Sequence, residues 1–152
     1  MNELLMIHDA IKKIEAAASC VCFLASECDP KPAMYARLYW EEPKPSSGVV
    51  WANGDAWTIL PTDHSKHRQA LLDVVDALPR KEIYKFHHGI EEKIVDGGRV
   101  EFGAIANVLY IRVSWKDDFH WEYKMAVDYF DEVWIEKLIE SANASRLQEV
   151  RQ

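Results

Sequence analysis

Four groups of side chains in this sequence have types and spacings that could bind a metal or move a proton. His64 and His67 stand one turn apart at the start of a helical stretch, so both could reach one ion. Zinc would ask for a third protein ligand, and no HExxH pattern or nearby third residue supplies it. Asp63 is adjacent, but consecutive residues diverge on a helix. An exposed polar helix start is the commoner meaning of such a pair.

His87, His88, Glu91 and Glu92 are packed more densely. On a helix, His87 with Glu91, or His88 with Glu91 or Glu92, would share a face and could hold a metal or act as a general base. On a strand the two histidines point apart and the constellation dissolves. Glu122-x-Lys124 sets an acid and a lysine on one strand face, the minimal second half of a metal-dependent nuclease pattern. Mg²⁺ would need a second carboxylate, and Asp96 is the one tempting upstream candidate. These residues define the enzymatic alternative, a small metal-dependent hydrolase or nuclease using His87, His88 and Glu91, or Glu122 and Lys124.

Cys20, Cys22 and Cys28 are odd in number and crowded, unlike a disulfide framework. Their C-x-C-x5-C spacing lacks a second pair or a histidine at ligand distance, so buried, reduced thiols are expected. No serine or cysteine stands in a nucleophile elbow, and Gly97-Gly98 lacks the spacing that cradles phosphate. The sequence therefore assigns no catalytic residue, no metal site and no cofactor.

A surface is more prominent than any site. Between residues 117 and 140 eight acids (Asp117, Asp118, Glu122, Asp128, Asp131, Glu132, Glu136 and Glu140) stand against Lys124 and Lys137. Phe119, Trp121, Tyr123, Tyr129, Phe130 and Trp134 interleave with them. Aromatic anchors ringed by acids suit a binder of a basic protein face, since charge steers the encounter and aromatics hold it. The plainer account makes the aromatics core and the acids a solvated rim. The expected partner-binding residues are Asp117, Asp118, Asp128, Tyr129, Asp131, Glu132 and Glu136. The function expected from them is an acidic protein-binding module, of the immunity or inhibitor type, that neutralises a basic, nuclease-like toxin or effector.

Composition limits the rest. The net charge of −7 argues against nucleic-acid binding, which needs clustered Lys and Arg. Asp9, Lys12, Lys13 and Glu15 interrupt the N-terminal apolar stretch, so it is not read as a signal peptide, and no run approaches the ~18 apolar residues of a membrane span. A cytoplasmic protein is expected, with self-association left open. The 152 residues and 49% hydrophobic content fit one domain over 1–152, with a polar tail from Ser145 that would fray.

The elements that must carry these residues follow from periodicity. Leu4, Ile7, Ile11, Ile14 and Ala18 mark an amphipathic helix, with Asn2 able to cap it. Residues 21–25 suit helix or a short strand; 34–40 alternate as a strand. Asn53-Gly54 predicts a two-residue hairpin turn that sets Val50 opposite Trp57. Thr62 or Asp63 would cap a second helix stopped by Pro79. Residues 81–95 are ambiguous, with a slight lean to a helix ended by Gly97-Gly98.

Residues 107–127 hold two alternating strands. A three-residue loop, 116–118, would pair Trp115 with Phe119, Val113 with Trp121, Ile111 with Tyr123 and Leu109 with Met125, giving one shared apolar face. It also sets Arg112 opposite Glu122 and Ser114 opposite His120. Trp134, Ile135, Leu138, Ile139 and Ala142 give a final helix. The fold class is then α+β: an antiparallel sheet of about five to six strands packed by an N-terminal, a middle and a C-terminal helix.

Overall fold

The computed structural model describes residues 3–27, 32–52, 56–129 and 132–150. It is α+β, with one seven-stranded sheet in which every neighbouring pair of strands is antiparallel. Helix α1 (Glu3–Ala18) leads into β1 (Val21–Glu27), β2 (Ala33–Trp40), β3 (Ser46–Ala52) and β4 (Ala56–Ile59). Two helices follow, α2 (Arg68–Ala77) and α3 (Arg80–Glu92), and then β5 (Arg99–Ile105), β6 (Val108–Ser114), β7 (His120–Ala126) and α4 (Glu132–Val150). Across the sheet the order is β4-β3-β2-β1-β5-β6-β7, so each half of the chain lays down a meander outward from the centre.

The seven strands slightly exceed the five to six expected, and two of them were the least legible. The ambiguous segment after α1 is the strand β1, and β5 was not marked by periodicity. Both lie at the middle of the sheet, where Ala25, Gly103 and Ala104 are buried beside Leu24 and Phe102. Burial of consecutive residues, 24–26 in β1 and 102–104 in β5, blurs the alternation that identifies a half-exposed strand.

One face of the sheet holds the core. Cys22, Leu24, Ala36, Leu38, Val50, Phe102, Leu109, Ile111 and Val113 point to it, at 1% exposure or less. The predicted stripe of α1 lands there: Leu4, Ile7, Ile11, Ile14 and Ala18 are all at most 1% exposed. Each of the four larger side chains contributes about 1.5–3 kcal/mol by leaving water. Trp40 closes the end of α1 by donating its indole N–H to the Ala18 carbonyl at 2.8 Å. His8, on the same helix, donates Nε2–H to the Ala106 carbonyl (2.9 Å) in the β5–β6 turn.

The β6–β7 register is the one that burial selects. Val113 faces Trp121, Ile111 faces Tyr123, Leu109 faces Met125, and on the other side Arg112 faces Glu122 and Ser114 faces His120. The Trp115 amide closes the loop on the Phe119 carbonyl at 2.9 Å, and Asp118 takes a left-handed φ of 67°. A left-handed third residue is what a three-residue hairpin loop uses.

The β3–β4 hairpin differs from expectation. Val50 faces Thr58, not Trp57, and Trp51 faces Trp57, so three residues separate the paired Ala52 and Ala56. Asn53-Gly54, and with it the turn conformation, lies outside the described residues. The same register sets Val49 opposite Ile59.

The middle helices depart in detail. Residues 62–67 form a 3-10 turn without a side-chain cap, so Thr62 and Asp63 do not cap α2. Pro79 ends α2 and also opens α3, since its missing N–H costs nothing at a helix start. The lean to helix over 81–95 holds as far as Glu92, and Ile94 is already extended. Asn2 lies outside the described residues. At the C-terminus α4 continues to Val150 where a frayed tail was expected.

Candidate functional site

Helix α3 carries the densest titratable cluster, and the fold divides it. His87 turns inward and is 2% exposed, wedged between α3, β1 and β5. Its Nε2–H donates to the Val100 carbonyl at 2.6 Å, which leaves Nδ1 to accept the Ser26 hydroxyl at 2.6 Å. Burial drives the His87 pKa down to about 4, so the ring is neutral. Glu91 accepts the Val100 amide at 2.9 Å, meets Arg99 Nε at 3.4 Å, and has its pKa raised by burial. Arg99 reaches across to the Ser26 carbonyl (2.6 Å) and Glu27 (3.4 Å).

This is a clamp that fastens α3 and β5 to β1. With both ring nitrogens committed, His87 has no lone pair left for an ion or a substrate proton. His88 points elsewhere, stacked on Tyr84 and 2.9 Å from Glu92. The helix thus sets His87 beside Glu91, with Nδ1 4.0 Å from the carboxylate, and His88 beside Glu92, but the two pairs face different ways and His88 does not join the first.

The other groups resolve similarly. His64 is buried, stacked 4.1 Å above Trp40, with Nε2 3.1 Å from the Ser46 hydroxyl. His67 lies 6.2 Å from it, ring centre to ring centre. Among the described residues no three His, Cys, Asp or Glu side chains gather as a metal site. Burial pushes the Cys20 thiol up to about 12 and Cys22 well above the usual thiol range, so neither supplies a thiolate. Cys28 lies outside the described residues. Glu122 and Lys124 share the open face of β7, whereas Asp96 is held by Arg146 of α4 at 3.2 Å, against the other face. The acid-x-lysine pattern thus lacks its second carboxylate.

The acidic C-terminal quarter is laid out along one margin of the molecule. Strand β7 is an edge of the sheet, and α4 runs back beside it. Trp121, Tyr123, Trp134 and Leu138 meet at their contact, with Trp134 and Tyr123 each 39% exposed. Lys137 lies 4.9 Å above the Trp134 ring. Near its far end α4 is fixed by Asn143, which bonds the Val95 amide and the Lys93 carbonyl, both at 2.9 Å.

Of the acids singled out in the sequence, Asp117 is engaged by Arg146 through two 2.8 Å hydrogen bonds, which lower its pKa. Asp118 sits in the neighbouring turn and Asp128 at the opposite end of β7, and both are exposed. Glu136 and Glu140 lie between them on the outer side of α4, in line with exposed Val133 (56%) and Leu147 (44%). None of these four acids has an ion-pair partner among the described residues. Asp131, and the side chains of Tyr129 and Glu132, lie outside the described residues.

The second sheet face, which is free of helices among the described residues, was read from the sequence only in its Arg112–Glu122 and Ser114–His120 pairings. Arg37 meets Glu101 at 2.6 Å, Glu101 faces Arg112 across β5–β6, and Arg112 faces Glu122 across β6–β7. Phe23 packs edge-on against both Tyr39 (5.8 Å) and Tyr110 (6.2 Å). Desolvation, aided by a hydrogen bond to Glu122, pushes the Tyr110 pKa up to about 12. The polar half of each strand's alternation was the available signal, but it needs the strand order to become a surface.

No described helix is long and apolar enough to cross a membrane. The chain matches no protein-family model, no curated protein and no solved structure.

Proposed function

We infer that this domain is a stoichiometric protein-binding module of the inhibitor or immunity type, docking a basic face of another protein along the β7–α4 margin. The observation that carries the reading is the state of Asp118, Asp128, Glu136 and Glu140. They are solvent-facing, without an ion pair among the described residues, and the last two are interleaved with the exposed Val133 and Leu147. Carboxylates not neutralised from within attract a cationic partner over distance, and the apolar side chains supply area to bury once it arrives. Asp117 contributes less, because Arg146 already answers its charge.

Catalysis is less well supported, because His87, His64 and Glu91 are occupied in holding elements together. The test begins by capturing partners from the source cell with the tagged chain and identifying them. The decisive step compares the purified pair before and after Asp128, Glu136 and Glu140 are changed to Lys. Charge reversal should slow association by about tenfold or more at low salt and flatten its salt dependence. A triple variant that binds as fast and as tightly as the parent would sink the reading.

A further inference from the structure

The register assigns a second interface, on the open face of the sheet, and we propose that it is filled by a second copy of this chain. Three strand pairings define a row across that face at one end of the strands, where β1 and β6 begin and β5 and β7 end. Val21 faces Tyr39, and Ile105 faces Val108, which in turn faces Ala126. Because Phe23 pairs with Gly103, the antiparallel ladder brings Ile105 alongside Val21 and joins the two halves into one apolar strip. Ile105 is 62% exposed, Val21 52% and Tyr39 37%. Apolar residues adjoining across several strands form a patch, which isolated surface hydrophobics do not.

Beside the strip runs the ladder of Arg37, Glu101, Arg112 and Glu122, with Lys124 on the same face of β7. Its signs alternate, and three bases against two acids leave it nearly balanced in a chain of net charge −7. A strongly charged partner of either sign gains little from such a surface. A second copy gains at both signs, because a twofold axis brings each surface against itself and can set bases opposite acids. Two chains of net charge −7 approach with less repulsion across this near-balanced ladder than across the acidic β7–α4 margin.

The whole face is of the order of area an interface uses. Seven strands spaced by ~4.8 Å, each of about six residues at ~3.3 Å, give a footprint of roughly 600 Å² before side-chain relief is counted. A standard interface buries about 800 Å² per partner. Twisted sheets stacked face to face meet in this way about 10 Å apart. The resulting dimer leaves both α4 helices on its outer sides. The proposal does not depend on what those helices bind.

Sedimentation equilibrium of the full chain, over a range of micromolar concentrations, tests it. The expected result is the mass of two 17.6 kDa chains. Val21→Lys with Ile105→Lys should raise the dissociation constant by about tenfold or more, while Val133→Lys on α4 leaves it unchanged. Both strip positions are more than half exposed, so the fold accommodates the lysines, and near-UV circular dichroism checks this. If the double variant unfolds, Ile105→Lys alone takes its place. A parent chain that stays at 17.6 kDa throughout overturns the proposal. So does a dimer that the folded lysine variant leaves intact, or one that Val133→Lys dissolves.

Discussion

Arg146 and Asp117, 29 residues apart, form a two-pronged contact: one guanidinium nitrogen lies 2.8 Å from each carboxylate oxygen. The same guanidinium lies 5.4 Å from the centre of the Trp115 ring and 5.9 Å from that of Phe119, and meets Asp96 at 3.2 Å. One side chain thus latches the last turns of α4 to the β6–β7 loop and to the connection that follows α3. Arg146→Ala should lower the thermal midpoint and speed amide exchange from residue 145 onward. Asp117→Asn should do less, because ring contacts and Asp96 remain. Equal exchange in parent and Arg146→Ala would mean that the tail is held by something else.

Acid should weaken the His87 clamp. Its folded pKa, about 4, lies below its ordinary 6.5, so between these values the unfolded chain binds the extra proton. Stability that is present above about pH 6.5 is therefore lost as the pH falls toward 4, by on the order of 3 kcal/mol. Glu91 opposes this, since its raised pKa favours the folded state on acidification, and the net loss is smaller. Urea midpoints across this window measure it; a profile that stays level down to about pH 4 contradicts the buried neutral ring.

Two glycines should respond to alanine in opposite directions. Gly89 lies inside α3, and a methyl group there meets nothing within 4 Å. Gly89→Ala should stabilise by about 0.5–1 kcal/mol, the usual helical penalty of glycine. Gly97 also has open space but sits at φ +69°, so Gly97→Ala should destabilise by about 1 kcal/mol. Chemical denaturation of the pair tests both signs, and a shared sign would contradict the backbone assigned to one of them.

Phe102 is 1% exposed at the centre of the sheet, edge-on to His87 at 5.5 Å. Phe102→Ala should cost about 3–5 kcal/mol, a large part of the ~5–15 kcal/mol typical of a domain. A loss below about 1 kcal/mol would place that ring outside the core.

Legibility followed solvent exposure. The β6–β7 register could be read because one face is wet and the other dry, so a slip of one residue would have turned Trp121 and Met125 to the wet face. Strand β5 gave less contrast, because Phe102, Gly103 and Ala104 are buried in succession where β6 alternates. For the cluster on α3, sequence located the residues but not their direction. His87 and His88 are consecutive, and only the packing of the helix decides that one is buried against Ser26 and the other paired with Glu92. Asp117 was legible as an acid, but the arginine that answers it lies 29 residues on, beyond any local pattern.

The two meanders meet through only two registered residue pairs, Phe23 with Gly103 and Leu24 with Phe102, whereas most other neighbouring strands share seven. What stitches that junction is side chains from both surfaces: His87 and Arg99 on Ser26, and Arg37 on Glu101. A nick between Leu78 and Pro79 would therefore sever no strand pairing. The two fragments, each carrying an intact meander, should find one another again when mixed, and the complemented pair should come apart in acid before either half unravels.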